Sequence, residues 1–487
     1  MPLPEFLLRR LFVHDSFADG REGFSFALLN SLAPAHITGL TLAVDGAPVP
    51  ARAVSLRFAS QPERGAASVT ASDPCPLPVG VAVTVFVRGV WLGRRRLTIR
   101  AVTREAGAIA FSIRPGQGSG CIERAQPHEN SPAGTNQFTE QDWERIRRDW
   151  STWWAGELER PLAVLVGLEA GDYSEILQNY PVELPARQVL AGQRGALLSA
   201  QCYGDAFPRW WPNFGPGVMA AFLGAGVHVA PETAWFTPAE TASINGLNPA
   251  YDAGNPWWLR VQQFTRAAIE LWGNEVAVGL TDLGGTLDVL ASLRGTSRLL
   301  LDLHDSPADV ERLTERLTGL WLRYFDELCA LVQPSGRGVS GWGPCWAPGP
   351  HYMLQSDFAY MISPAMFERF VLPGLEACCA AIPYALYHLD GVGQIPHLDM
   401  LLSIRRLRGI QWVPGEGRPR SEEWLPLLKR IRDAGKLCYV DVSRAGALQI
   451  TRALGRRGFL FRIDEHLEED EVRPFLGLLA QTGPPGS

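Results

Sequence analysis

The densest concentration of reactive side chains is the segment YHLDGVGQIPHLD, residues 387–399. His388 and Asp390 stand two residues apart at the end of an apolar run, and a strand would turn both to one face. An imidazole titrates near neutral pH and a carboxylate beside it fixes its tautomer, so the pair suits general acid/base catalysis. The same two side chains are also candidate ligands for a divalent metal ion. The structural alternative is a histidine bonded to a backbone carbonyl and an aspartate capping the turn at Gly391. His397 and Asp399 repeat the spelling, but Pro396 and the following LLSI place them at a helix start, where Asp399 has a capping or charge role.

Further candidates sit at the ends of other apolar runs. Asp282 ends VAVGLTD, and Glu416 follows GIQWVPG. Asp357 lies in QSDFAYMISP, ahead of a helix opened by Ser363-Pro364, in a loop able to fold over a cleft. Trp342, Trp346 and Trp412 offer flat faces to a planar ring or a sugar. Of these, Trp342 and Trp412 join Asp282, Asp357 and Glu416 as expected substrate contacts. Cys345, a lone thiol in GWGPCWAPG, reads as a small hydrophobe before a nucleophile or a third ligand.

The elements that must position these residues change character along the chain. Residues 9 to about 115 carry short β-branched runs separated by Asp-Gly, Pro-Val-Gly and Glu-Ala-Gly turns, which predicts a small antiparallel β-domain. A Gly-, Pro-, Ser- and Asn-rich stretch over 119–137 reads as a linker. From Phe138 onward apolar strands alternate with capped helices, the βαβ signature of a sheet covered on both faces. Roughly eight such units fit a (β/α)8 barrel, whose chemistry gathers at the C-terminal strand ends. The predicted domains are therefore 1–118, β-sandwich-like, and 138–487, a (β/α)8 TIM barrel. The GxGxxG match at Gly336–Gly341 leads into a strand instead of following one, and no GxxxxGK[ST] occurs, so nucleotide-loop readings lose their support.

Composition narrows the classes further. Lys and Arg total 45 against 51 Asp and Glu, a formal charge of -6, which argues against a nucleic-acid-coating surface. The basic clusters Arg94-Arg95-Arg96 and Arg405-Arg406 are short and separate. Eight scattered Cys with no CxxC pair do not form a secreted disulfide framework. No leader pattern or membrane-length apolar stretch is present, so a cytoplasmic protein without a membrane partner is expected. The 16 Trp require many buried indoles or an indole-lined cavity.

Residues from about 200 to 480 resemble the uroporphyrinogen decarboxylase superfamily, which includes corrinoid-linked and methylcobalamin-dependent methyltransferases. The resemblance rests on WPNFGPGVMAAFLGAGV, VGLTDLGGTLDVLASLRG, QSDFAYMISPAMFERFVLPGLEACCAAI with YHLDG, and GRRGFLFRI. It implies a barrel with a deep cleft at the strand ends. Two departures stand out. The Arg-rich segment that holds porphyrinogen carboxylates is represented here by QCYGDAFPRWWPNFGPG, with Arg209 and aromatic residues. The HxC zinc pair of the methyltransferases is His388-Leu389-Asp390, and GFLFRIDEHLEED lacks their later Cys. An Asp in place of a thiolate suits an oxygen-rich divalent site such as Zn or Mn. The β-domain, through SLAPAHITGLTLAVDGAPVPARAVSLRF and VTVFVRGVWLGRRRLTIRA, resembles the small β subunit of bacterial C-glycoside deglycosidases.

These readings converge on an enzyme of small-molecule metabolism, a decarboxylase-like lyase. It would act by acid/base chemistry on a carboxylated, aromatic or glycosylated small molecule, with His388 moving the proton and Asp390 orienting it, or both holding a metal. The alternative is a methyltransferase using a small methyl donor or a corrinoid. A third reading is a non-catalytic binding protein. The β-domain is the expected surface for self-association or a protein partner.

Overall fold

The structure is a computed structural model. It describes residues 12–20, 23–29, 35–45, 47–58, 63–77, 82–90, 97–104, 107–113, 138–166, 179, 184–191, 193, 197, 201–230, 233–239, 243–273, 275–465, 467 and 469–484. The expected linker 119–137 and the cluster Arg94-Arg95-Arg96 lie outside the described residues. The chain divides into two compact units, Met1–Ala133 and Gly134–Ser487.

Among the described residues of the first unit every strand pairing is antiparallel, with short 3-10 helices at Ala51–Ala53 and Ala66–Ser68. One sheet runs, in order, Phe12–Gly20, Gly23–Leu29, Ala82–Arg88, Val54–Phe58 and Arg64–Gly65. The other runs Gly107–Ile113, Leu97–Thr103, Ala35–Val44 and Ala47–Pro48, with Cys75–Leu77 paired to Ala35–Val44. Period-two alternation explains the arrangement. Phe24, Phe26 and Leu28 of one sheet and Leu40, Leu42 and Val44 of the other are buried in one shared core. Gly23 takes φ 137°, and a Cβ there would lie 1.9 Å from the Val87 carbonyl oxygen, so no side chain fits at that turn.

The second unit opens with the helix Glu140–Trp154, closed at its start by a capping box between Thr139 and Asp142. Its Trp143, Trp150, Trp153 and Trp154 are all buried. Three of these indoles find acceptors: Trp150 donates to the Asp205 carbonyl at 3.0 Å, Trp153 to Phe459 at 3.1 Å and Trp154 to Trp346 at 2.8 Å. The high Trp count thus goes largely into packing, and in this helix three of the four polar edges find carbonyl acceptors.

The central sheet has seven strands in the order Cys202–Gly204, Leu162–Val166, Phe459–Ile463, Leu437–Val442, Gly409–Val413, Tyr384–Asp390 and His351–Leu354. All pairs are parallel except the first. One face packs Leu162, Val164, Leu386, Leu437, Tyr439 and Leu460 against the Trp-rich helix. The other packs Ala385, Tyr387, Leu389, Ile410, Val440 and Phe461 into the larger core.

The expected (β/α)8 barrel needs correction: no sheet among the described residues closes on itself. Arg209–Trp210 pairs only with Ala277–Val278, and a single bridge joins Gly279 to Ser340. Val339–Ser340 pairs antiparallel with Trp346–Ala347. The sequence supplies the reason. Pro208 and Pro212 flank Arg209–Trp210, and Gly341, Gly343 and Pro344 follow Ser340, so each ladder ends after two residues. At the other edge, Leu162–Val166 takes an antiparallel neighbour in place of a parallel one. The architecture is mixed α/β with an N-terminal antiparallel β region.

The edge strand is fixed by a buried carboxylate. Asp205, 1% exposed, receives both Arg160 terminal nitrogens at 2.7 and 2.8 Å and the Ala163 amide at 2.8 Å. Asp205→Ala takes from Arg160 one of its two carboxylates, Asp149 remaining at 2.9 Å, and leaves the buried Ala163 amide without its acceptor, so it should cost about 1–3 kcal/mol. Urea denaturation of the full chain followed by Trp fluorescence measures this; an unchanged midpoint would show that the network is not stabilising.

Candidate metal centre

His388 and Asp390 occupy the last turn of alternation in Tyr384–Asp390, on the face opposite Tyr387 and Leu389. The strand is paired on both edges, with His388 opposite Gln411 and Asp390 opposite Val413. Beyond the neighbouring edge strand, His351–Leu354, the chain turns into a short 3-10 helix, Asp357–Met361. One ligand atom each from Asp357, His388 and Asp390 then lies within 4.8 Å of the others. Asp357 is exposed and the other two half-buried, so the site opens to solvent.

The imidazole is oriented for ligation. His388 Nδ1 is 2.6 Å from Gln411 Oε1, and an amide oxygen only accepts, so Nδ1 carries the proton. Nε2 is then the nitrogen left to ligate an ion. The Trp342 indole meets the same ring edge-on at 5.2 Å. Tyr360 is 46% exposed and borders the site over Gly391 and Gly393, where a Cβ would lie 2.9 and 2.7 Å from the phenol ring. One imidazole nitrogen and two carboxylate oxygens form a borderline-to-hard donor set, suited to Zn or Mn.

Two further carboxylates stand behind this cluster. Burial pushes the Asp282 carboxyl up to about 6, with the Gly284 amide opposing and the Asp357 charge adding to the rise. Its Oδ1 accepts the Gly284 amide at 2.8 Å. Asp288 is likewise raised by burial and then by Asp357, although it accepts the Asp357 and Phe358 amides at 3.0 and 2.7 Å. Carboxylates gathered beside an imidazole favour a dication, which offsets their repulsion. Sequence reading misses Asp288, because an Asp in the first turn of a helix reads as ordinary dipole compensation.

The other expected residues fall elsewhere. Trp412 is fully buried on the opposite sheet face, edge-on to Trp424, so it is core and not part of the cluster. Trp346 is also buried core. Glu416 is exposed on the loop after Gly409–Val413 and is not among the clustered ligands. Cys345 is buried and its thiol is pushed up to about 12 by desolvation, which leaves it unreactive. Buried His397 stacks on Phe367 and bonds the Ala359 carbonyl at 2.9 Å, while Asp399 pairs with Arg430 at 2.7 Å. Arg209 reaches the Gly341 and Trp342 carbonyls at 3.0 Å. A separate cavity of about 490 Å³, lined by Arg145, Arg160 and Tyr203 among others, lies at the start of Leu162–Val166 and shares no residue with the cluster.

The His388 imidazole is held at Nδ1 by the Gln411 amide oxygen, and ligand atoms of Asp390 and Asp357 converge with it within 4.8 Å.

Residues 7–115 match the family model described as hydroxymethylglutaryl-CoA reductase, N-terminal domain. No curated protein sequence matches the chain. Among solved structures, a methyltransferase from Methanosarcina mazei is similar at 13% identity and a TM-score of 0.46, covering 69% of this chain and 98% of that one. The family match overturns the expected likeness of the β-domain to a C-glycoside deglycosidase β subunit. The uroporphyrinogen decarboxylase-like reading of the second unit, and the lyase activity drawn from it, is withdrawn: the family match lies in residues 7–115 and names a different family, and no sheet among the described residues is closed into a barrel. No helix among the described residues is long and apolar enough to cross a membrane.

The raised Asp282 carboxyl has a consequence for stability. Its folded value, about 6, exceeds the ordinary 3.8, so the fold favours the protonated form. That contribution is present in full below pH 4 and is lost as pH rises through 6, a change on the order of 3 kcal/mol. Asp282→Asn keeps the Oδ1 acceptor without the charge. In metal-free protein its stability relative to wild type should therefore rise between pH 4 and pH 7; parallel profiles for the two proteins would refute this.

Proposed function

We propose that the unit Gly134–Ser487 is a divalent-metal-dependent enzyme that transfers a methyl group to or from an oxygen of a small molecule. The convergence of Asp357, His388 and Asp390 ligand atoms within 4.8 Å carries the reading. When bound, the ion supplies Lewis acidity, which makes a weakly acidic hydroxyl reactive at neutral pH. The donor set favours oxygen over sulfur as the reacting atom: no Cys belongs to the cluster, and hard ligands hold oxygen better than thiolate.

The chain's own residues divide the remaining work. Asp357, Asp390 and His388 Nε2 hold the ion, with Gln411 fixing the imidazole tautomer. Asp282, whose burial leaves it able to exchange a proton near neutral pH, takes the proton that the attacking oxygen gives up. Trp342 and Tyr360 present apolar surface beside the ligands, limiting the water that would otherwise compete for the methyl group.

Two measurements test this reading. Metal-stripped full-length protein should take up about one equivalent of Mn2+ or Zn2+, as a three-ligand site with open positions requires. His388→Ala and Asp390→Asn should weaken uptake, while Cys345→Ala and Asp399→Asn leave it unchanged. The reloaded protein is then incubated with isotope-labelled sulfonium, methoxyaryl and methylcorrinoid donors and a panel of hydroxylated acceptors. Metal-dependent label transfer, lost in His388→Ala, is the expected result. Stoichiometric metal binding with no transfer from any donor would remove the methyl-transfer reading but leave the metal centre.

A further inference from the structure

His388 and Asp390 are held in a strand ladder, opposite Gln411 and Val413, but Asp357 lies outside any strand. It stands at the head of a five-residue 3-10 helix whose N-cap, Ser356, makes no side-chain capping bond. Its place is nevertheless set from two sides. The Asp288 carboxylate, projecting from the first turn of the helix Thr286–Arg294, accepts the Asp357 amide on Oδ2 at 3.0 Å and the Phe358 amide on Oδ1 at 2.7 Å. From the other side, His397 Nε2 bonds the Ala359 carbonyl at 2.9 Å.

The approach of the two segments depends on a missing side chain. A Cβ at Gly285 would lie 2.2 Å from the Gln355 carbonyl oxygen and 2.4 Å from Asp288 Oδ2. Any other residue at 285 would wedge the helix start away from 355–358. Two convergent amide donors also need two acceptor oxygens on one rigid group. A carboxylate supplies both, whereas Asn offers one oxygen and a clashing N–H.

We infer that Asp288 is a positioning residue for the metal site, acting through the Asp357 and Phe358 amides to place the Asp357 ligand, with Gly285 as the gap that lets it do so. The inference rests on reading Asp357, His388 and Asp390 as ligands. It assigns Asp288 no contact with metal or substrate. Because it serves one ligand out of three, its loss should resemble the loss of that ligand alone.

The test uses full-length protein titrated with Co2+, read by equilibrium dialysis and by the visible absorption spectrum, alongside the metal-free denaturation midpoint. Asp288→Ala should weaken Co2+ binding roughly 10- to 100-fold, the range for residues that support a ligand. Its Co2+ spectrum should match that of Asp357→Ala and differ from that of Asp390→Ala. Asp288→Asn, which keeps one acceptor, should fall between wild type and Asp288→Ala. Gly285→Ala, which retains the Asp288 side chain but crowds both its Oδ2 and the Gln355 carbonyl, should shift the spectrum in the Asp357→Ala direction. If Asp288→Ala does not fold, Asp288→Asn and Gly285→Ala carry the comparison. Variants with a lowered denaturation midpoint but wild-type Co2+ affinity and spectrum would overturn the inference, leaving Asp288 a purely structural residue. A wild-type protein that takes up no Co2+ would overturn the metal centre itself, and this inference with it.

Discussion

His388 and Asp390 share one direction because the strand that carries them is paired on both edges and packed on both faces. Leu386 seats one face against the Trp-rich helix, while Ala385, Tyr387 and Leu389 seat the other in the larger core. A slip of one residue against Gly409–Val413 would exchange the faces, burying His388 and Asp390 and presenting Leu389 to the site. The same register brings Gln411 opposite His388, so the residue that fixes the imidazole tautomer is placed by the ladder that fixes the ligands. Apolar burial thus sets the geometry of a polar site in which these residues make few bonds of their own.

Charge is distributed around that strand in a graded way. Asp357 is open to solvent, His388 and Asp390 are half-buried, and Asp282 is nearly inaccessible. Desolvation therefore raises the inner carboxylates, Asp282 and Asp288, toward the neutral form. Elsewhere in the unit, the buried Asp205 is matched by the Arg160 cation, whereas Asp282 and Asp288 are held by backbone amides. The contrast separates carboxylates that hold the fold together from those that gather at the strand ends.

Sequence resemblance and architecture part company in this chain. Short strands, capped helices and strand-end carboxylates look alike in a closed barrel and in an open sheet, because both satisfy the same local rules for burial and connection. What distinguishes them is whether the outermost strands find each other. Here the prolines around Arg209–Trp210 and the glycines after Ser340 cut the ladders to two residues, and Leu162–Val166 pairs with an antiparallel neighbour. For the β-domain, alternating hydrophobic runs give the sandwich arrangement but carry little about ancestry, and the family match to residues 7–115 corrects the resemblance drawn from them.

Local periodicity is enough to divide the chain into an antiparallel β region and an α/β region, since burial follows a period of two in strands and 3.6 in helices. It also sets His388 and Asp390 on one face at a strand end and gives Thr139 its capping box. Asp357 joins them only through the fold, because a ligand 31 positions earlier is brought near by the pairing of His351–Leu354 with Tyr384–Asp390. Trp412 is one residue past Gln411 and looks equally suited to a site, yet strand alternation in a packed sheet sends it into the core. Asp288 and Gly285 are invisible as functional residues in the sequence. Their roles come from how closely the start of one helix approaches the backbone of residues 355–358, and such an approach between distant segments has no local signature.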